Sequence, residues 1–277
     1  MKKLLLSSDL ELAIEAARRG GAIISKNFGT DGDFSEKANG KGLVTQTDKA
    51  AERVIIDILQ ANSSYAIMSE ETAPDAPSCE LSWIVDPLDG TTNFASKIPL
   101  FAVSVALLQD QEVRLGVIFN PMTEECFYAE KGKGAYLNGQ PIYVSTKTDP
   151  AATILFLNHG YRPTDRKKYA TVADRLSTTY VVRTFGPTAL ELSYLARGCA
   201  GGFVSSGDAL WDYAAGIVII EEAGGKVTDW QGRGWDKNNS FILASNGSCH
   251  AELMEKIADL LDILAKPARV TKIISQE

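Results

Sequence analysis

The chain has 277 residues, of which 45% are hydrophobic and 23% charged, and its formal net charge is −7 at pH 7. This composition indicates a globular protein with one large domain or two closely packed halves, and it excludes disordered and fibrous classes. The negative charge argues against nucleic acid as the main ligand, because phosphate backbones are bound by clustered Lys and Arg. Two histidines are too few for a His-rich zinc site and disfavour most Ser-His-Asp mechanisms.

The sequence carries no sign of export or membrane insertion. Its apolar start ends at Ser7, and no small-residue cleavage site follows. No stretch approaches the roughly 20 apolar residues of a membrane span. The four cysteines are widely spaced, at positions 79, 126, 199 and 249, without a C-x-x-C pair. We therefore predict a cytoplasmic protein with free thiols and no membrane partner.

The first half of the chain, residues 1–150, is predicted to be an α+β unit of two helices followed by strands. The predicted helices are 8–28 and 48–61, and the predicted strands are 83–85, 101–108, 113–120, 126–130 and 135–137. Ser8 or Asp9 is the expected N-cap of the first helix. The polar, Gly-rich stretch 29–42 is predicted to be a mobile surface loop, in which Lys41 either closes over a site or is a plain surface lysine.

The second half, residues 151–277, is predicted to be an α/β unit in which strands and helices alternate. The predicted strands are 154–157, 181–184, 203–204 and 241–244, and the predicted helices are 165–176, 187–197, 211–223 and 248–264. Strands followed by an alternating half predict a layered sandwich of helices and sheets, packed as a single compact unit.

The most informative segment is 86–94, Asp-Pro-Leu-Asp-Gly-Thr-Thr-Asn-Phe. A buried strand delivers Asp86 to the surface, and Asp89 follows closely enough for both carboxylates to face one cation. Gly90 lets the backbone approach a ligand, and Thr91-Thr92 can open a helix whose free N–H groups attract phosphate. Hard oxygen ligands at such a helix start indicate Mg²⁺ rather than zinc. Asp-x-x-Asp alone would equally fit an Asx-turn before a helix cap.

This segment resembles the signature of the inositol monophosphatase family, the lithium-sensitive, Mg²⁺-dependent phosphatases. Further stretches similar to family motifs follow the family order, namely Leu43-Val44-Thr45-Gln46-Thr47-Asp48, Ser69-Glu70-Glu71, Trp211-Asp212-Tyr213-Ala214-Ala215-Gly216 and Glu222-Ala223-Gly224-Gly225. Each stretch alone also fits a structural role: an N-cap at Asp48, a solvated acidic turn at Glu70-Glu71, a core tryptophan beside a helix-start carboxylate at Trp211-Asp212. Their joint occurrence favours function. The resemblance implies an αβαβα sandwich of the sugar-phosphatase type and a homodimer.

The resemblance also implies a metal site with two or three Mg²⁺ ions. Asp86 would bridge two ions, sharing the first with Glu70 and the backbone carbonyl of Leu88. Asp89 and Asp212 would complete the second ion, and Glu70 would hold a third, weaker one. Two metals ~3.5–4 Å apart could stabilise both the entering and the leaving oxygen of an in-line displacement, without a covalent phosphoenzyme.

The remaining implied roles concern water, phosphate and alcohol. Thr91, hydrogen-bonded to Asp48, would orient the attacking water together with Glu70. Gly90, Thr91 and Thr92 would bind phosphate oxygens. The substrate side would also include Asp89, Thr188, Ser205 and Asp212.

The choice of substrate depends on residues around the alcohol, where this chain differs from the usual family pattern. Where the family usually has an acidic residue seven positions before the downstream Asp, this chain has Ser205, and Asp208 is near but displaced. The segment 186–189 reads Gly-Pro-Thr-Ala, whereas the family usually has Gly followed by Ser or Thr and then Ala. The run 90–94 nevertheless matches the inositol branch better than the Gly-Thr-Lys run of the nucleotide and histidinol-phosphate branches. Asn158-His159 either lies near the substrate mouth or is solvated.

These observations predict an enzyme that hydrolyses a small phosphate monoester, with inositol 1-phosphate as the leading substrate. The alternatives within the superfamily are phosphatases of fructose 1,6-bisphosphate, histidinol phosphate, nucleotide 3′-phosphates or NADP. A regulatory binding partner of the transcription machinery is the alternative from a different class.

Overall fold

Layers of helices and β-sheets alternate through the molecule. The computed structural model describes residues 6–30, 34–36, 43–72, 81–110, 112–237 and 240–260. The helices of these residues are α1 (Ser8–Asn27), α2 (Gln46–Asn62), α3 (Thr91–Ala95), α4 (Pro163–Leu176), α5 (Thr188–Ala196), α6 (Leu210–Glu222) and α7 (His250–Ile257). The strands are β1 (Phe34–Glu36), β2 (Leu43–Thr45), β3 (Ala66–Ser69), β4 (Leu81–Asp89), β5 (Ala102–Gln109), β6 (Glu112–Asn120), β7 (Glu125–Glu130), β8 (Ala135–Leu137), β9 (Gln140–Pro141), β10 (Ile154–His159), β11 (Val181–Arg183), β12 (Gly202–Ser206), β13 (Lys226–Thr228) and β14 (Phe241–Ser245).

The larger sheet has seven strands in the order β3-β4-β5-β6-β7-β8-β9. Its pairs are antiparallel except β3–β4, which is parallel. Successive residues of a strand point to opposite faces. Trp83 and Val85 of β4 therefore join the apolar cluster under α1 and α2, while Ile84 joins the cluster that contains α5 and α6. Both faces of this sheet are covered by helices.

The smaller sheet has five strands in the order β11-β10-β12-β14-β13. β10 runs parallel to β11 and β12, and β14 runs antiparallel to β12 and β13. α5 and α6 pack on one face of this sheet, and α4 and α7 pack on the other. The order α1/α2, sheet, α5/α6, sheet, α4/α7 confirms the predicted αβαβα sandwich.

Helix α6 lies between the two sheets, and its continuous apolar sequence fits this position. Every residue from Tyr213 to Ile220 is buried. A helix that is apolar on all sides has no face to turn toward water. The packing of α6 against both sheets joins the two halves of the chain through one apolar cluster.

Several boundaries differ from the prediction. The N-cap of α1 is Ser7, whose hydroxyl accepts a hydrogen bond from the N–H of Leu10, so the expected cap at Ser8 or Asp9 was wrong. Part of the predicted loop 29–42 is strand, because β1 pairs with β2. Lys41 and the end of the predicted helix 248–264 lie outside the described residues.

The thiols agree with the prediction where the structure describes them. Cys126 and Cys249 are free and buried, and Cys199 is free and exposed, whereas Cys79 lies outside the described residues. Among the described residues, no helix is long and apolar enough to cross a membrane.

Candidate active site

An irregularity in β4 places the first two acidic residues of the site. Asp86 pairs with Ser104 of β5 and Asp89 pairs with Ala102, so three steps along β4 match two steps along β5. A β-bulge of this kind bends the strand and redirects side chains. Asp86 is 1% exposed, and its Oδ1 accepts a hydrogen bond of 2.9 Å from the N–H of Leu88. The Asx-turn considered from sequence is therefore present within the candidate site.

Gly90 ends this segment in a conformation that only glycine adopts readily. Its φ is +96°, and a Cβ there would lie 2.8 Å from Pro187 Cγ and 3.1 Å from the carbonyl oxygen of Leu100. Gly90 is also the N-cap of α3, whose first-turn N–H groups have no partner inside the helix. Gly90 lines the cavity without a side chain, which is the backbone arrangement that close approach of a ligand would need.

Thr91 and Asp48 are joined by a hydrogen bond. Thr91 Oγ1 lies 2.9 Å from Asp48 Oδ1 and 3.0 Å from the carbonyl oxygen of Leu88. Asp48 Oδ2 accepts hydrogen bonds from the backbone and the hydroxyl of Thr45, which is the N-cap of α2. Burial raises the pKa of Asp48, and these hydrogen bonds oppose the rise. Asp48 thus closes a capping box and also contacts Thr91, and the catalytic role of this pair stays a prediction.

Glu70 lies just after β3, in a turn that a buried carboxylate organises. Glu52 of α2 is 1% exposed, and its Oε1 accepts hydrogen bonds from the Ser69 hydroxyl and from the N–H groups of Glu71 and Thr72, the latter two at 3.2 and 3.1 Å. The Glu70 turn is therefore attached to α2 on both sides of Glu70.

Asp89 and Asp212 reach the site from different halves of the chain. Asp89 Oδ2 accepts a hydrogen bond of 2.6 Å from the N–H of Ala189, and Asp212 Oδ2 accepts one of 2.6 Å from the N–H of Ala209. Burial raises the pKa of both carboxyl groups well above the usual range, and repulsion from Asp208 and Glu70 adds to the rise. A cation between these carboxylates would relieve this repulsion.

A cavity of about 310 Å³ brings most of the predicted site residues together. The predicted residues on its wall are Glu70, Asp86, Leu88, Asp89, Gly90, Thr91, Thr92, Thr188 and Asp212. Asp48 lies behind Thr91, and Ser205 lies behind Asp208, as their hydrogen bonds show. Among the described residues, no three carboxylate, imidazole or thiol groups are gathered tightly enough to hold a metal ion by themselves.

A polar network from the second half of the chain builds part of the cavity wall. Asn158 Nδ2 lies 2.8 Å from Thr188 Oγ1 and 3.2 Å from Glu191 Oε2. Thr188 Oγ1 donates a hydrogen bond of 3.0 Å to Asp208 Oδ2, and the Ser205 hydroxyl donates to the same oxygen. The cavity-lining acid here is Asp208, whereas Ser205 is 1% exposed and holds that acid in place.

The cavity wall also includes His159, which is half-buried, and Tyr161 and Arg162, which are exposed. The His159 ring packs edge-on against Tyr169 with 4.8 Å between ring centres. Burial and the nearby carboxylates raise the pKa of Tyr161 to about 12, and a hydrogen bond with Thr92 opposes the rise. Of the two alternatives left open for Asn158-His159, the structure places both residues on the cavity wall, and a role toward substrate stays a prediction.

The sequence did not predict Glu52, Glu191, Tyr161 or Arg162 as site residues, and it gave Asp208 no defined role. The hydrogen-bond partners of Glu52 lie 17 to 20 residues away along the chain. Those of Glu191 lie 6 and 33 residues away. The one sequence signal for them is an acidic residue at a position that the helical period places on a buried face.

Comparison with known proteins identifies the group to which this site belongs. A model of the inositol monophosphatase family matches residues 5–264. The chain belongs to this family. It is 37% identical over 263 residues to an inositol-1-monophosphatase of Synechocystis, with 91% of this chain and 90% of that protein covered. It is 38% identical over 245 residues to the Nus factor SuhB of Escherichia coli, with 86% and 89% covered.

Solved structures of the inositol monophosphatase family share the fold. The extragenic suppressor protein SuhB of Bartonella henselae matches with a TM-score of 0.85 and 32% identity, covering 91% of this chain and 98% of that one. An IMPase of Thermotoga maritima matches with a TM-score of 0.85 and 30% identity, covering 93% and 100%. The chain is accordingly a phosphatase that acts on small phosphate substrates.

Proposed function

We propose that this phosphatase hydrolyses phosphate monoesters of small polyols with Mg²⁺, and that inositol 1-phosphate is its leading substrate. The observation that carries the proposal is the common cavity beside the start of α3, whose wall includes Glu70, Asp86, Asp89 and Asp212. The identity to an inositol-1-monophosphatase supports the inositol branch.

The proposed ligands fit Mg²⁺ by their chemistry. They are the carboxylates of Glu70, Asp86, Asp89 and Asp212 and the carbonyl of Leu88, which are all hard oxygen donors. Mg²⁺ keeps several waters and needs only one or two carboxylates, so it does not require a closed protein cage. When bound, two or three ions would neutralise the phosphoryl oxygens and lower the pKa of a bound water.

The side chains around the ions are proposed to position the water and the phosphate. Thr91 donates its single hydroxyl hydrogen to Asp48 or to the carbonyl of Leu88, so its lone pairs are free to accept a hydrogen bond from a water in the cavity. We assign the orientation of the attacking water to Thr91 and Glu70. The N–H groups at the start of α3 and the Thr92 hydroxyl would bind phosphate oxygens.

Replacement of one ligand tests the proposal. Asp86→Asn keeps the shape but removes the charge, and we expect kcat/KM for inositol 1-phosphate to fall by at least ~10³-fold, or ~4 kcal/mol, with the fold intact. Asp57→Asn, at an exposed position of α2, is the matched control and should change nothing. Calorimetric titration with MgCl₂ should show weaker binding by Asp86→Asn alone. Near-normal turnover by a folded Asp86→Asn variant would refute the role of Asp86.

The metal requirement has its own test. Activity should be lost in excess chelator and restored by Mg²⁺, and millimolar Li⁺ should inhibit by occupying a metal position. Full activity in chelator would overturn the Mg²⁺ proposal.

A binding role in transcription is the second candidate, favoured by the 38% identity to a protein named Nus factor SuhB. If the chain has this role, tagged protein should retain purified RNA polymerase of its own cell, and Asp86→Asn should retain it equally well. We also propose a cytoplasmic homodimer, which light scattering checks as twice the mass of one chain.

A further inference from the structure

Asn93 lies on the cavity wall, and the proposed metal and water chemistry gives it no role. It belongs to the five-residue helix α3 and is half-buried. Its side-chain Nδ2 donates a hydrogen bond of 2.9 Å to the carbonyl oxygen of Leu100 and one of 2.8 Å to the carbonyl oxygen of Phe185. The amide nitrogen of an asparagine side chain carries two hydrogens, so both of them are used.

These two hydrogen bonds connect segments that are far apart in the chain. Leu100 lies 7 residues from Asn93, in the turn between α3 and β5. Phe185 lies 92 residues from Asn93, in the loop between β11 and α5. The first acceptor belongs to the half of the chain that carries Asp89, and the second belongs to the half that carries Asp212. One side chain therefore joins the two halves at the wall of the cavity.

Gly90 is packed between the same two segments. A Cβ on Gly90 would lie 3.1 Å from the carbonyl oxygen of Leu100 and 2.8 Å from Cγ of Pro187, which lies in the same loop as Phe185. Protein interiors are close-packed and transmit small shifts. Movement of either segment would therefore displace the backbone that leaves the end of β4.

Asp89 is attached to the second segment as well. Its Oδ2 accepts a hydrogen bond of 2.6 Å from the N–H of Ala189, in the first turn of α5. Asp89 and Asn93 thus bind the segment 185–189 near its two ends. Helices shorter than about 12 residues are marginal in isolation, so the position of α3 depends on contacts with the rest of the protein. The two hydrogen bonds of Asn93 are among these contacts.

We propose that Asn93 is a positioning residue for Asp89, which it acts on by fixing the spacing between the two halves of the chain at the cavity. This assignment rests on the proposed phosphatase function, in which Asp89 and Asp212 hold one Mg²⁺ ion. Without the Asn93 amide, the carbonyls of Leu100 and Phe185 lose their common donor, and the loop before α5 is free to shift relative to α3. Mg²⁺ demands near-ideal octahedral geometry, so a small change in the distance between its ligands weakens binding.

Mg²⁺ binding to the full chain tests the proposal without relying on turnover. Asn93→Ala removes both hydrogen bonds. We expect calorimetric titration with MgCl₂, at a temperature where the variant is folded, to show about 10-fold weaker binding than in the wild type. The value of kcat/KM for inositol 1-phosphate should fall by at least as much. Asn93→Gln keeps the amide on a longer stem, and its Mg²⁺ affinity should fall by about 3-fold.

Asn138 provides a matched control. Its Nδ2 donates a hydrogen bond of 3.1 Å to the carbonyl oxygen of Glu124, and its Oδ1 accepts one of 3.0 Å from the N–H of Cys126. It therefore also joins two backbone segments through a side-chain amide, but it is not one of the residues on the cavity wall. Asn138→Ala should lower the melting temperature and leave Mg²⁺ affinity and kcat/KM unchanged.

The outcomes separate positioning from a purely structural role. Wild-type Mg²⁺ affinity in a folded Asn93→Ala variant would overturn the assignment, as would an equal loss of affinity in Asn138→Ala. If Asn93→Ala does not fold, wild-type affinity in Asn93→Gln overturns it instead. A wild-type protein that binds no Mg²⁺ would refute the proposed function itself, which is a different result from weak binding by the Asn93 variants alone.

Discussion

Glu52 shows how a residue outside the cavity can control one inside it. Its Oε1 accepts three hydrogen bonds from the turn that carries Glu70. Glu52→Ala leaves those donors without their acceptor inside the protein, at a cost of about 1–3 kcal/mol for each buried one. We expect a lower melting temperature, at least about 10-fold lower kcat and weaker Mg²⁺ binding by calorimetry.

The conservative variant and a surface control define that prediction. Glu52→Gln keeps an acceptor oxygen and should recover most of the Mg²⁺ affinity. Glu15→Gln removes an exposed acid that pairs with Arg19 on the surface, and it should change neither activity nor melting temperature. If Glu52→Ala lowers the melting temperature but leaves kcat and Mg²⁺ binding intact, Glu52 is purely structural.

Thr91 should affect turnover more than binding. Thr91→Ala removes the hydroxyl that is proposed to orient the water, so kcat should fall more than about 10-fold while KM changes little. Thr91→Ser keeps the hydroxyl and should recover most of kcat. Steady-state kinetics on inositol 1-phosphate checks both variants, and a raised KM with unchanged kcat would assign Thr91 to binding.

The predictability of individual site residues depends on where their partners lie in the chain. Asp86, Asp89 and Thr91 lie within six consecutive residues, so their motif is visible in the sequence. The position of Asp208 is set by Ser205, which is near, but also by Thr188, which is 20 residues away. Such a contact depends on the register between α5 and β12, and no local pattern in the sequence reports it.

At the scale of elements, the long buried strands and helices were predictable and the short edge strands were not. β5 and β6 contain long apolar runs because helices cover both faces of their sheet. β4 was predicted only over 83–85, because Ser82, Asp86 and Asp89 interrupt its apolar run. The missed strands β1, β2, β9 and β13 have two or three residues each, too few to show a period. β3 also escaped, because its four residues run directly into the Glu70 turn.

His250 connects three elements and gives the fold a specific pH dependence. Thr228 Oγ1 donates its one hydrogen to the carbonyl of Asp229, so it must accept the hydrogen bond from His250 Nε2, at 3.0 Å. His250 Nδ1 therefore carries no hydrogen and accepts a hydrogen bond of 2.9 Å from Ser245 Oγ. Burial and the charge of Lys226 lower the pKa of His250 from 6.5 to about 4. The neutral imidazole is therefore the form that ties α7 to β13 and β14.

The sign of the pH effect follows from linkage. Between pH 6.5 and about 4 the unfolded chain binds a proton at His250 that the folded chain does not, so the free energy of unfolding falls as pH falls. Asp89 and Asp212 act in the opposite direction, because burial raises their pKa in the folded state. The contribution of His250 must therefore be measured as a difference between variants.

His250→Gln provides that difference. The stability gap between wild type and His250→Gln, measured by urea unfolding, should be constant above pH 6.5 and should shrink by at most about 1.4 kcal/mol per pH unit below it. A gap that does not change between pH 7 and pH 4 would contradict the buried neutral histidine.

At the scale of the whole molecule, we propose that residues 1–150 and 151–277 unfold as one unit. The largest apolar cluster contains Ile84 and Ile118 from the first half together with Leu190 and Ile219 from the second. Because this cluster lies between the two sheets, neither half can separate without exposing it.

Calorimetry of an α6 variant tests whether the two halves unfold in one transition. Ile219 is fully buried, and Ile219→Ala should cost about 2–5 kcal/mol and lower the melting temperature while the transition stays single. Val181→Ala, at a position 37% exposed on an edge strand, is the control and should have little effect. Two resolved transitions in either variant would show that the halves unfold separately.

The middle layer of helices also has a consequence for synthesis on the ribosome. The larger sheet is complete at Pro141, whereas α6, which covers one of its faces, ends at Glu222, about 80 residues later. At roughly 5 to 20 residues per second, this delay lasts about 4 to 16 s. During that time the face that includes Ala106 and Ile118 has no α6 to cover it, so we expect chaperone contact with the nascent chain to be concentrated in this interval.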